Sequence, residues 1–305
     1  MTSAEPQRQI PPKSWKHLGL VKSVKEAIYS LPSYFRTETS IEGINATDIF
    51  TFNTALGATI ENQVIQTLNQ MRSVWDPDEE YVLYSFVRQS QKFPDVLLKR
   101  PLGAEGSGED IIMGIELKGW YLLAKEGEPS FRFQVTPAAC GLQDLIVVVP
   151  WVLNNVISGS PRMLSPYIES ARYAAEYRNY HWENVRDAKG RRGIKQPSGV
   201  GPYPARSDRI ADTPESDAGG NFGRYARTGL MDDYLERTRT ELLCGIQAEH
   251  WLQFFKVFQD QKDTTHVKGE IDRLKKRLLA SGQIAEKRIS PILAILDQLD
   301  SLASE

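Results

Sequence analysis

Apolar residues recur every four positions through residues 53–71, where Leu56, Ile60, Val64 and Leu68 share one stripe and predict a helix. Glu61 lies beside that stripe. The period then changes. Residues 81–88, 96–99, 111–118, 120–124, 131–135 and 145–149 are rich in β-branched and aromatic residues and predict strands. The run at 145–149 is apolar throughout, as in a strand buried on both faces. In 111–118 the pattern alternates: Ile111, Met113, Ile115 and Leu117 would line a buried face, leaving Gly114, Glu116 and Lys118 on the polar one. Residues 126–129 have the composition of a hairpin turn, and the glycines of 103–108 suggest a flexible connector.

Outside this middle the chain reads as helix and loop. A loose arm is expected over 1–14 and a short helix over 21–31, stopped at Pro32. Residues 165–180 predict a helix with Pro166 in its first turn, its tyrosines Tyr173, Tyr177 and Tyr180 packing on the sheet. After Trp182 the composition turns to Arg, Lys, Gly and Pro without helical or strand period, which predicts a loop. From Leu230 onward the pattern is helical again, with Val267, Ile271, Leu274 and Leu278 on one face and Ser290-Pro291 opening a last helix.

The chain has 305 residues, 41% hydrophobic and 25% charged, with a formal net charge of −2. A chain of this length can bury a large core, and any nucleic-acid surface must be local rather than a property of the whole molecule. Such a patch exists. Between Arg186 and Arg209 seven basic residues (Arg186, Lys189, Arg191, Arg192, Lys195, Arg206 and Arg209) face two acids, Asp187 and Asp208. They are candidates for phosphate contacts; a merely solvated linker is the competing reading. Two cysteines, Cys140 and Cys244, provide neither a disulfide framework nor zinc spacing, and the longest apolar run is too short for a bilayer span. A cytoplasmic protein is expected. The four histidines are scattered, and nucleophile elbows, P-loops and complete dinucleotide fingerprints are absent.

The chemistry concentrates in Pro94-Asp95 and in Glu116-Leu117-Lys118. Two carboxylates brought to one spot beside an ammonium suit a hard cation and its bound water, which phosphodiester hydrolysis requires. The bland alternative is an exposed Glu116–Lys118 pair on an edge strand, contributing about 0–1 kcal/mol. The apolar flanks of both runs argue against such an edge.

Pro-Asp, a spacer of twenty residues and then Glu-X-Lys resembles the PD-(D/E)XK nuclease superfamily over residues 45–180, most like a type II restriction endonuclease. The resemblance implies an α/β fold: a restriction-endonuclease-like core with a central mixed β-sheet flanked by helices, plus a helical C-terminal region. The expected division is arm and short helix 1–44, nuclease core 45–183, basic Gly/Pro-rich loop 184–228 and helical region 229–305. It implies Mg²⁺ held by Asp95, Glu116 and the Leu117 carbonyl, with Lys118 orienting water or stabilising charge. Glu61 and Gln134 are further catalytic candidates. Expected partners are double-stranded DNA, a second copy in a homodimer, and a cognate DNA methyltransferase of the same system without a stable complex. A repair or recombination nuclease and a non-catalytic DNA-binding protein remain as alternatives.

Overall fold

The computed structural model describes residues 4–43, 52–100, 110–186, 193–217, 219, 221–224, 227–259 and 264–280, with 293–294 and 296–297. The expected connector at 103–108, the basic residues Lys189, Arg191 and Arg192, and the helix opening at Ser290-Pro291 lie outside the described residues.

The chain is an α/β protein built on a six-stranded mixed sheet, ordered β1-β2-β3-β4-β5, with β6 also pairing with β4. The strands are β1 Ser85–Arg88, β2 Val96–Arg100, β3 Asp110–Tyr121, β4 Leu145–Leu153, β5 Pro161–Met163 and β6 Tyr167–Ser170. β1, β2 and β3 run antiparallel, β3 and β4 parallel, and β5 and β6 antiparallel to β4. Parallel neighbours need a crossover. That crossover, residues 122–144, carries only the short 3-10 turn Pro137–Ala139 instead of the usual α-helix.

Helices α1 Leu18–Tyr34, α2 Phe52–Gln70, α3 Arg72–Trp75 and α4 Ala171–Tyr180 flank the sheet. α2 packs on β1 and β3, with Ile60, Val64 and Leu68 buried as their spacing predicts. α1 does not stop at Pro32. It runs two residues further, and Phe35 N–H still bonds the Leu31 carbonyl at 2.8 Å, so the proline removes a donor only in the last turn. α4 begins later than expected: Tyr167–Ser170 is claimed by β4 as an edge partner, and Ser170 caps the helix by accepting from Tyr173 N–H. Residues 81–84 form a turn rather than strand, and 131–135 contribute only the Val135↔Ala211 bridge. The expected hairpin at 126–129 has no paired strands on either side; Gly127 makes the turn at φ +63°.

The arm is not loose where it is described. Arg8 forms a bidentate bond to Glu169 and stacks over Tyr173. The basic segment also has order. β7 Ile194–Lys195 pairs with β8 Thr213–Pro214, and Thr136 and Asp212 bond across to Ile210 and Gln134. The C-terminal part is not purely helical, because β9 Leu242–Leu243 and β10 Ile246–Gln247 form a tight ladder between α5 Asp232–Arg239 and α6 Ala248–Gln259. α7 Thr264–Ala280 follows, and its Val267, Ile271, Leu274 and Leu278 are buried. These side chains join one continuous hydrophobic cluster with the sheet and with α1 and α2. Among the described residues no helix is long and apolar enough to cross a membrane.

Candidate functional site

Alternation predicts one buried face for β3. The strand buries both from Ile112 through Leu117: α2 packs on β3 from the side of Gly119, and Pro94 and Asp144 close on the opposite side, at Gly114. Gly119 permits that approach: a Cβ there would lie 3.7 Å from the Gly57 carbonyl of α2 and 3.8 Å from Glu61. Glu116 is consequently only 8% exposed, not at a solvated strand end.

β2 begins at Val96, opposite Ile115, so beyond that point β3 has no strand partner on this edge. Two carboxylates take the partner's place. Leu117 N–H donates to Asp95 Oδ2 at 3.0 Å, and Gly119 N–H donates to Glu61 Oε1 at 3.2 Å. The Leu117 amide would otherwise be a buried donor without an acceptor, and the Gly119 amide a part-buried one. The carbonyl of a strand residue leaves on the same edge as its N–H, which directs the Leu117 carbonyl towards the same acids.

Lys118 bridges the set. Its Nζ donates to Glu116 Oε1 at 2.6 Å and lies 3.7 Å from Asp95 Oδ2, with 23% of the side chain exposed. Burial pushes the Glu116 carboxyl up to about 7, with Asp95 adding to the rise and Lys118 opposing it. Glu61 is also raised, first by burial and then by Asp95, against the Gly119 amide, Lys118 and Arg88. Burial works against the Lys118 charge, but Glu116 and Asp95 outweigh it and raise its pKa. Three acids thus share Lys118, with the charge of Arg88 beyond Glu61, in a part-buried corner. The excess of negative charge is what a divalent cation would neutralise.

The turn before β2 is held from several sides. Gln89 N–H donates to the Asp95 carbonyl at 2.6 Å, and Gln89 Nε2 to the Pro94 carbonyl at 2.8 Å. Pro94 packs directly over Gly114, where a Cβ would collide with Pro94 Cγ. Beneath lies Asp144, fully buried at the entry to β4. It accepts from Gly114 N–H and Gly141 N–H, both at 2.7 Å, and from Tyr203 O–H at 3.0 Å. Burial nonetheless raises its pKa.

Sequence reasoning misses Asp144 and Tyr203, whose partners lie 30 and 59 residues away. It also misses Arg88, which pairs in register with Val96 beside Asp95. Their only available signals were a charged residue entering an apolar run and an arginine closing a strand.

Gln134 is not joined to this corner by any hydrogen bond among the described residues. It lines a separate cleft with Arg132 and Arg224. Of the described basic candidates, Arg206 reaches the turn, donating to Gln91 Oε1 at 2.6 Å. Lys195 and Arg209 are exposed. Arg186 instead stacks on Trp182 at 3.2 Å and donates to its carbonyl. Cys140 is buried, and burial raises its thiol pKa, as expected of an inert cysteine.

Among the described residues no three His, Cys, Asp or Glu side chains form a ready-made cation cage. Two carboxylates and a carbonyl nevertheless fit Mg²⁺, which keeps several waters and takes one or two protein acids plus substrate oxygens. A cavity of about 480 Å³ between the arm and α1, walled by Ile10, Val21, Leu145 and Ile168, shares no residue with the acidic corner. No family model, curated protein or solved structure matches the chain.

Proposed function

We propose that this chain is a Mg²⁺-dependent endonuclease that hydrolyses phosphodiester bonds of double-stranded DNA at specific sites. The observation that carries the reading is the Asp95–Glu116–Lys118 group, in which the ammonium lies between a buried carboxylate and a part-exposed one. A structural ion pair has no need of the second acid. Nor does it need an acid on the one strand edge left open.

In this reading Asp95, Glu116 and the Leu117 carbonyl hold the ion. A bound divalent cation supplies polarisation of the scissile phosphate and an acidified water. Lys118 points its ammonium at the same volume, where it orients the attacking water and stabilises charge on the phosphate as it builds. Glu61 keeps the β3 edge in place through Gly119 and adds negative charge behind the ion. Arg88 and Arg206, at the two sides of the turn, are placed to hold the phosphates flanking the cut. Site-specific cutting of a palindrome would call for a homodimer, which sedimentation tests directly.

The test is incubation of supercoiled and linear plasmid with the full chain and Mg²⁺, beside Asp95→Asn and Lys118→Ala. Discrete fragments from the parent, absent in EDTA, and a loss of about 10²-fold or more in each variant are expected. A smear or a preference for branched DNA would favour a repair or recombination nuclease of the same superfamily. Variants that cut as fast as the parent would remove the site from the chemistry.

A further inference from the structure

A second cluster of charge lies apart from the acidic corner. Arg132 and Gln134 form one wall of a cleft of about 400 Å³, and Asp217, Asn221, Gly223 and Arg224 form the other. The walls are stitched by Phe133 N–H donating to the Gly223 carbonyl at 3.0 Å. Gly223 allows this approach, since a Cβ there would meet Gln134 Cγ at 3.0 Å and Phe133 N at 3.3 Å.

The floor is rigid. Phe222 is fully buried, lies under the Arg178 guanidinium at 4.7 Å and meets Trp182 edge-on at 5.1 Å. Its amide donates to Asp217 Oδ1 at 3.3 Å, which occupies part of the one carboxylate in the cleft.

Two arginines therefore line this cleft with a single acid, which is already engaged by the Phe222 amide. Arg224 Nε is shut off from solvent and has no hydrogen-bond partner among the described residues. Arg132 is exposed and has no ion-pair partner among them. Neutral amides from Gln134 and Asn221 complete a donor set for a compact, multiply oxygenated anion. The fork of arginine suits phosphate oxygens in particular.

We infer that this cleft is an anion site that takes a phosphate group, and that in the DNA complex it holds a backbone phosphate away from the cut. The DNA half of the inference rests on the proposed function. Proximity of the two segments supports it: the Phe133 ring, on the cleft's wall segment, packs 5.9 Å from that of Phe93, two residues before Asp95.

The experiment uses the full chain without divalent metal. Anisotropy of a labelled duplex of about 20 base pairs, long enough to span several phosphates on each strand, is followed over a salt series for the parent, Arg132→Glu and Arg224→Gln. In parallel, the melting temperature is read in inorganic phosphate against chloride at equal ionic strength. Each variant is expected to weaken duplex binding about tenfold and to flatten the log-affinity against log-salt slope by about 0.9 for each phosphate no longer neutralised. Phosphate should raise the melting temperature of the parent and not of the variants. Arg132→Glu alters an exposed side chain, so its effect survives as evidence if Arg224→Gln fails to fold.

Unchanged duplex binding together with no phosphate-dependent melting shift overturns the inference, even if the protein cuts DNA. A phosphate shift that needs Arg132, in a protein that neither binds nor cuts DNA, upholds the anion site and overturns its DNA half. The nuclease reading would then fall separately.

Discussion

Two charge clusters in this protein are built in opposite ways. Arg178 and Asp212, both with 0% of their side chains exposed, lie at 2.5 Å, sealed from bulk water. Every guanidinium nitrogen of Arg178 is used: it donates to the Phe133 and Val135 carbonyls, to Asn179 Oδ1 and to Asp212 Oδ2. Burial lowers its pKa to about 10, still charged at neutral pH. That pair fastens the basic Gly/Pro-rich segment to α4. One Asp212 oxygen has no partner among the described residues, yet charge itself is balanced one to one. In the acidic corner, Asp95, Glu116 and Glu61 crowd one lysine, and burial holds a proton on Glu116 up to about pH 7. The first cluster is closed and complete; the second is short of positive charge. A buried pair near balance reads as architecture, and one out of balance reads as a site awaiting a ligand.

Breaking the closed pair should have the largest effect. Arg178→Met leaves Asp212 buried without its counter-ion and is expected to cost about 3–5 kcal/mol, measured by urea unfolding. A loss under about 1 kcal/mol would mean the pair is not what holds the 193–217 segment.

The unbalanced corner should answer in the opposite direction. Glu116→Gln removes a charge that burial disfavours, so at pH 8 without metal the variant should be more stable than the parent by about 1–3 kcal/mol, while losing cleavage. A destabilised variant would show that the Lys118 bond outweighs desolvation there.

The same balance fixes a pH dependence. Because the folded-state pKa of Glu116 is raised, its contribution is fully present below the ordinary carboxylate range and is lost as pH rises through about 7. A divalent ion needs the ionised form. The rise in melting temperature on adding Mg²⁺ should therefore grow from about pH 5.5 to about pH 8; a flat profile would exclude Glu116 as a ligand.

The smallest effect marks the boundary of the comparison. Arg8–Glu169 is a bidentate pair whose arginine side chain is 59% exposed. Arg8→Ala should cost about 1 kcal/mol or less, and less again in high salt. A larger loss would make the arm part of the core.

Much of this is legible in the sequence, and the failures have physical causes. Local periodicity identifies α2, the two strands bearing the acids and the buried stripe of α7, because each depends only on nearby residues. It misjudges the exposure of Glu116, since alternation cannot say what covers the polar face. Pro94, from the turn before β2, and Asp144, from the entry to β4, close on that face at Gly114. Ser165 to Ser170 has helical composition, but β4 recruits four of those residues as an edge strand. Asp144 with Tyr203, and Arg178 with Asp212, are illegible because each pairing joins segments with no local pattern in common.

The open edge of β3 has a practical consequence for anyone perturbing the site. Residues 61 and 95 each serve as hydrogen-bond acceptor for a main-chain amide, a duty that an uncharged carboxamide oxygen performs equally well. Exchanging either for its amide counterpart therefore subtracts one electron's worth of charge and leaves the β3 scaffold seated. Truncation to alanine would strip an amide of its acceptor and confound chemistry with folding.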